Sequence, residues 1–178
     1  DLRRIKAYAK RLLQQRQTEP AFAQIKRGIA LAPNRSRDFI DLMFGSNIPP
    51  ADMAMAFPDR ALAWQLYAKF LLEAKQDHLA ERAFRKAMQL TPMEVISSYG
   101  AFWAYYKYLE RNQRYEEAVV VVLQAIELFP DNANLHAAAG LLYDRQELTF
   151  RAGEAYRQAL LLNPKLRWVR ERLDRLEL

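Results

Sequence analysis

The feature that most constrains this chain is one spacing that recurs ahead of four prolines, Pro33, Pro92, Pro130 and Pro164. Ala80, Phe84 and Ala87 precede Pro92, and Ala118, Val122 and Ala125 precede Pro130. Ala152, Tyr156 and Ala159 precede Pro164, and Ala21, Ile25 and Gly28 precede Pro33. The order is always small, large apolar four residues on, small three residues later, then proline. Residues three and four apart share one face of a helix. The small residues let two helix backbones approach, and the large one fills the gap between neighbouring helices. Proline then ends the helix, because it lacks an N–H and disfavours helix in the residue before it.

A second periodic segment precedes each of these. Ile5, Tyr8, Ala9 and Leu12 stand at i, i+3, i+4 and i+7, as do Trp64, Tyr67, Ala68 and Leu71. Phe102, Tyr105, Tyr106 and Leu109 repeat the pattern, and so do His136, Ala139, Gly140 and Tyr143. Each set predicts one apolar stripe on an amphipathic helix. Internal repetition of paired helices is the signature of a stacked repeat protein.

The stretch AWQLYAKFLLEAKQDHLAERAFRKAMQLTP resembles a tetratricopeptide repeat (TPR), whose pattern is W-x2-L-G-x2-Y, then A-x3-F, then A and P. The unit from Ala133 to Leu166 has the family's own period. The resemblance implies an all-α fold: a right-handed superhelical TPR solenoid of antiparallel helix pairs with a C-terminal capping helix. It gives a single domain over 1–178, with repeats at about 2–33, 61–94, 99–132 and 133–166. About eleven helices are expected.

Two steps depart from the period. From Pro92 to Pro130 the segment Met93–Ser98 adds a turn. From Pro33 to Pro92 the step is well short of two periods. Residues 34–60 read as a shortened, degenerate repeat, with one short helix over Ser36–Gly45 and another over Ala51–Phe57, or else as an irregular insertion splitting the stack. Leu166 to Leu178 forms the cap (166–178), with Leu166, Val169, Leu173 and Leu176 on one face. Glu171, Asp174 and Glu177 are interleaved with its arginines, which argues against a nucleic-acid helix.

In the TPR family the first helices of the pairs line a concave groove. The matching positions off the apolar stripe carry Lys10, Lys69 and Lys107, with Leu141 in the last unit. One turn earlier stand Lys6, Gln65, Trp103 and Ala137. These are the candidate partner-binding residues. They describe a basic row with an aromatic anchor, suited to an extended peptide with acidic groups. The alternative reading is an ordinary solvated lysine face. The family's carboxylate clamp is not matched, because its asparagines are missing: the positions hold Lys6 and Lys10, Leu66, and Gly100 and Ala104. The aromatic run Tyr99–Tyr108 exceeds what one stripe can bury. Phe102, Tyr105 and Tyr106 are assigned to the core, and one or two of the others to a partner.

The net charge of +6 and pI near 9.6 lean towards an acidic partner or simply solubilise helix faces. There is no cysteine, which removes disulfides and thiolate chemistry. Apolar stretches such as Ala118 to Leu123 are far too short to span a bilayer. No phosphate loop, dinucleotide fingerprint or nucleophile elbow is present. His78 sits in a turn, His136 takes the pattern's Trp position between helices, and Ser97 and Ser98 have no base nearby. No enzyme activity, metal or cofactor is expected, and no nucleic acid.

The expected function is a protein–protein interaction scaffold holding a peptide or partner segment in its groove. Two alternatives stand beside it. One is the soluble TPR tail of a larger membrane protein, such as an O-antigen-type glycan polymerase or ligase. Some of those resemble this chain in a Pro-containing segment like IPPADMAMAFPDRALAW, and Asp1 with Arg3, Arg4 and Lys6 suits a cut just after a span. The other is a self-associating adaptor, a homodimer.

Overall fold

The computed structural model describes residues 1–94 and 98–176. Among them are ten α-helices and three short 3-10 segments, and no strand. The helices are α1 (Leu2–Gln14), α2 (Thr18–Leu31), α3 (Ser36–Gly45), α4 (Ala61–Glu73) and α5 (Asp77–Leu90). They continue with α6 (Gly100–Arg111), α7 (Tyr115–Leu128), α8 (Ala133–Arg145), α9 (Thr149–Leu162) and α10 (Arg167–Leu176). The described residues group into two compact units, 1–101 and 102–178, the second including two terminal residues outside the description.

Four helix pairs are made by the residues that the spacing picks out. Ala21, Ile25, Ala80, Phe84, Ala87, Ala118, Val122, Ala125, Ala152, Tyr156 and Ala159 are all essentially inaccessible to solvent, and Gly28 is buried with them. Burying large apolar side chains of this kind contributes about 1.5–3 kcal/mol each. Pro33 and Pro92 open 3-10 segments (Pro33–Arg35 and Thr91–Met93) directly after α2 and α5. Two buried hydroxyls are satisfied at these bends. Ser36 donates to the Pro33 carbonyl at 2.6 Å, and Thr91 to the Ala87 carbonyl at 3.0 Å.

Every first helix ends in the same way. Arg16, Asn47, Lys75, Gln113 and Glu147 all have φ between 56° and 59°. In each case the next residue's N–H reaches back to the carbonyl five residues earlier: Gln17 to Leu12, Ile48 to Met43, Gln76 to Leu71, Arg114 to Leu109 and Leu148 to Tyr143, at 2.8 to 3.0 Å. This is the Schellman closure, a left-handed residue that turns the chain and satisfies a last-turn carbonyl. Glycine is its usual occupant, and none of the five is glycine.

The closure at Asn47 places α3 among the first helices of pairs. Beyond it the chain departs from the expected second short helix. Only a five-residue 3-10 segment forms, Asp52–Ala56, where α2, α5, α7 and α9 each run for 14 residues. Pro58 accounts for the early stop, because proline disfavours helix in the residue before it, and Phe57 is already extended at φ −96° and ψ 133°. The segment is still anchored, with Met53, Ala56 and Phe57 buried.

One member of the stripes is misplaced by the sequence reading. Tyr8 is 52% exposed, whereas Ile5, Ala9 and Leu12 are buried. The buried edge of α1 runs through Leu13 instead, so the stripe turns away from Tyr8. In the second unit α10 lays Val169 and Leu173 against Tyr156, Ala152, Ala159 and Ala137, with Leu166 and Leu176 partly buried beside them. Of the lengthened segment Met93–Ser98, residues 95–97 lie outside the described residues, Ser97 included, and so do Glu177 and Leu178 of the cap.

Candidate functional site

The two units hold different parts of the candidate set. In the first unit, α1 carries Lys6 half-buried and Lys10 exposed, and α4 carries Gln65 half-buried and Lys69 exposed. Gln65 lines a cleft of about 360 Å³ between the start of α4, the turn after α2 and the turn after α5. Leu62 and Pro33 give it an apolar side, and Arg60, Asn34 and Ser98 a polar one. Glu94 closes it. Its carboxylate accepts from the Ala61 N–H at 2.8 Å and lies 3.8 Å from Arg60. A side chain distant in sequence thus caps an orphan donor at the N-terminus of α4, where a negative charge also meets the helix dipole favourably. Sequence reasoning did not find Glu94. It lies in the lengthened step rather than next to the helix that it caps, so no local capping signal marks it.

In the second unit, Trp103 and Lys107 come together one turn apart on α6. Trp103 packs edge-on to Tyr106, with ring centroids 4.9 Å apart at 81°. The Lys107 ammonium lies 5.0 Å from the Tyr106 ring centroid and 5.9 Å from that of Trp103, within cation–π range. It also pairs with Glu110 at 2.9 Å. Burial pushes the Lys107 ammonium down, but its contacts with Glu110 and Tyr106 outweigh that and hold it above its ordinary value. Burial raises the Tyr106 phenol. The cluster is therefore a charged lysine at neutral pH, fixed over two rings. Phe102, Tyr105 and Tyr106 are buried, while Trp103 and Tyr108 are half-exposed.

Ala137, the fourth residue of the row with Lys6, Gln65 and Trp103, is buried in the core beneath α10 and presents nothing to a partner. On α8 this repeat position therefore carries no surface side chain. The reason is α10 itself: Val169 and Leu173 cover the face of α8 on which Ala137 lies.

Charge is distributed more unevenly than the composition suggests. Residues 1–31 carry eight Lys or Arg against two acids, which equals the whole net charge of +6. The remaining residues hold nineteen of each sign. On α1, Arg3, Arg4, Lys10 and Arg11 are exposed, and none makes an ion pair among the described residues. Elsewhere the cations are commonly paired, as in Arg37 with Asp41 and Glu73, and Arg114 with Glu117.

The two histidines lie one in each unit. His78 is exposed near the start of α5. His136 is half-buried, and its Nε2 lies 2.7 Å from the Pro130 carbonyl. A carbonyl can only accept, so Nε2 carries the proton. No group of His, Cys, Asp or Glu among the described residues could hold a metal ion, and no described helix is long and apolar enough to cross a membrane.

The chain matches no family model and no curated protein sequence. Its structure is similar to a solved one described as "Crystal structure of YrrB: a TPR protein with an unusual peptide-binding site". The two share 16% sequence identity, with a TM-score of 0.58, over 96% of this chain and 91% of that one. At that identity the likeness speaks for the fold: this chain is all-α, with the helix pairs of a TPR-like repeat protein.

Proposed function

We propose that this chain is a non-catalytic protein-interaction module that holds a peptide or partner segment against the first helices of its repeats. The observation that carries the reading is the Trp103–Tyr106–Lys107 cluster. An aromatic side chain and an ammonium held over it stand half-exposed on one helix, the arrangement expected of an interaction hot spot. The YrrB structure is described as having a peptide-binding site, which supports the same kind of use for a TPR-like fold. The partner segment is acidic in this reading. Lys10 and Lys69 are exposed and outside any ion pair among the described residues, and α1 concentrates the net charge. Electrostatic complementarity of this sort sets encounter rate and partner choice more than affinity.

The test is affinity capture with the wild-type chain beside Lys69→Glu, Lys107→Glu and the double variant, read by mass spectrometry and then by titration of the captured partner. Loss of the partner from either single variant assigns it to that unit. Equal capture by all four chains overturns the basic-row reading. Weaker binding at raised salt is expected throughout.

A further inference from the structure

The truncated repeat leaves a notch on the opposite side of α4 from Gln65 and Lys69. Where the other pairs have a 14-residue second helix, the segment around Asp52–Ala56 contributes only alanines here, Ala51 and Ala54. Their small side chains leave a cavity of about 250 Å³. Trp64, Tyr67 and Leu71 of α4 form one wall, and Leu79 and Ala83 of α5 form the other.

The wall is held in place before anything binds. Phe57 stacks on Tyr67 with centroids 4.6 Å apart, and lies 5.6 Å from Trp64. The Trp64 Nε1 donates to the Pro58 carbonyl at 2.9 Å, and the Tyr67 hydroxyl donates to the Pro50 carbonyl. The rim holds two cations and one acid. Arg82 and Lys86 sit one turn apart on the edge of α5. Lys86 faces Asp59 at 3.0 Å, while Arg82 is exposed and makes no ion pair among the described residues.

Two features define an occupant. The volume falls below the roughly 300–1,000 Å³ of small-molecule sites, so it suits a single large side chain borne by something bigger. The cations repeat at i and i+4, a spacing that carboxylates on a facing helix reproduce. We propose that the notch docks an amphipathic helical segment of a partner protein, seating one large apolar side chain between Trp64 and Leu79, setting one carboxylate against Arg82 and bringing a second, one turn away, to Lys86 in place of Asp59. The site rests on the reading of the chain as a binding module but uses the other face of α4.

The chain has three tryptophans, so its indole N–H signals resolve the two sites separately. The probe is a blocked alanine-based helical peptide with one leucine and glutamates one turn apart, compared with a version carrying lysines in place of the glutamates. The Trp64 indole resonance of the full chain should shift saturably with the acidic peptide and stay still with the basic one. Arg82→Glu should weaken binding about tenfold, because reversal removes an attraction and adds a repulsion. Ala54→Leu should abolish the Trp64 response by filling the notch. A Trp64 signal that does not move, or one that moves equally in Ala54→Leu, overturns the proposal. If Trp103 shifts while Trp64 does not, the notch is not the site and the first-helix reading stands.

Discussion

The Tyr156 ring on α9 occupies the space where a Cβ on Gly140 of α8 would have to be. A Cβ placed at Gly140 approaches three ring carbons of Tyr156, the farthest at 3.0 Å, and Tyr156 is fully buried. The same holds in the first unit, where a Cβ at Gly28 would lie 2.9 Å from both Cε atoms of Phe39. Neither ring can retreat into solvent. Alanine gains about 1 kcal/mol over glycine in a helix interior. Forcing an extra carbon into a packed core costs about 1–3 kcal/mol. Gly140→Ala and Gly28→Ala should therefore lower the melting temperature. Gly45→Ala, where a Cβ meets nothing within 4 Å, should raise it. Thermal unfolding of the three variants side by side checks the signs.

The five left-handed turn residues give a second stability test. Lys75 holds φ at 56° although it carries a Cβ. A left-handed conformation costs an ordinary residue roughly 1–2 kcal/mol relative to the right-handed one. Glycine escapes that strain and gives back part of the gain through a more flexible unfolded chain. Lys75→Gly should stabilise by about 0.5–1 kcal/mol in chemical denaturation. Ala74→Gly, one residue earlier at φ −80°, should destabilise instead.

The two substitutions also show what could be read from sequence. The second helices were legible because their apolar residues are tied to a proline at fixed distance, and both period and stop signal are local. Turn residues such as Lys75 and Gln113 were not, because only glycine or asparagine would have announced a left-handed position. Periodicity assigns Tyr8 to the core, one turn above Ile5 on α1, yet it is exposed. Whether an edge residue is covered depends on neighbouring helices, which periodicity does not see. Ala137 failed for the converse reason: it is covered by α10, a helix far along the chain. Of the candidate site, the helix positions of Trp103 and Lys107 followed from repeat register. The Glu94 cap and the notch at Ala54 did not, since both arise from irregular segments that no repeat pattern describes.

Alkaline pH should unfold the chain through its buried phenols. Burial, with the Asp52 charge beside it, raises Tyr67 from the ordinary 10.0 to about 12, although the nearby Ala54 backbone partly offsets this. Tyr106 and Tyr156 are raised by burial as well. In the unfolded chain these groups ionise near 10, so between the two values the folded state holds the extra protons. Stability is then fully present below about pH 10 and falls as pH rises through about 12. Tyrosinate absorbance should show late-titrating groups in the folded chain, one fewer of them in Tyr67→Phe. Ionisation of every tyrosine near pH 10 without unfolding would contradict this.

The last helix should act as a lid on the second unit. Val169 is fully buried and Leu173 nearly so, both against Tyr156 and its neighbours. Arg172 ties the helix down by donating to the Asp144 carboxylate at 2.8 Å, and the Tyr156 hydroxyl points to the same group at 3.4 Å. The ion pair is partly exposed and contributes on the order of 1 kcal/mol or less. The apolar contacts should dominate. Val169→Asp, which places a carboxylate in that core, should cost more than about 3 kcal/mol, whereas Arg172→Ala should cost about 1 kcal/mol or less. Removing residues 166–178 should bare Tyr156, Ala152 and Ala159 and lower solubility, because a repeat stack whose end is uncapped exposes its core. Sedimentation and dye binding to exposed apolar surface would report it. A truncated chain that sediments and melts as the wild type does would mean that α10 is an appendage, and that α8 and α9 close the unit by themselves.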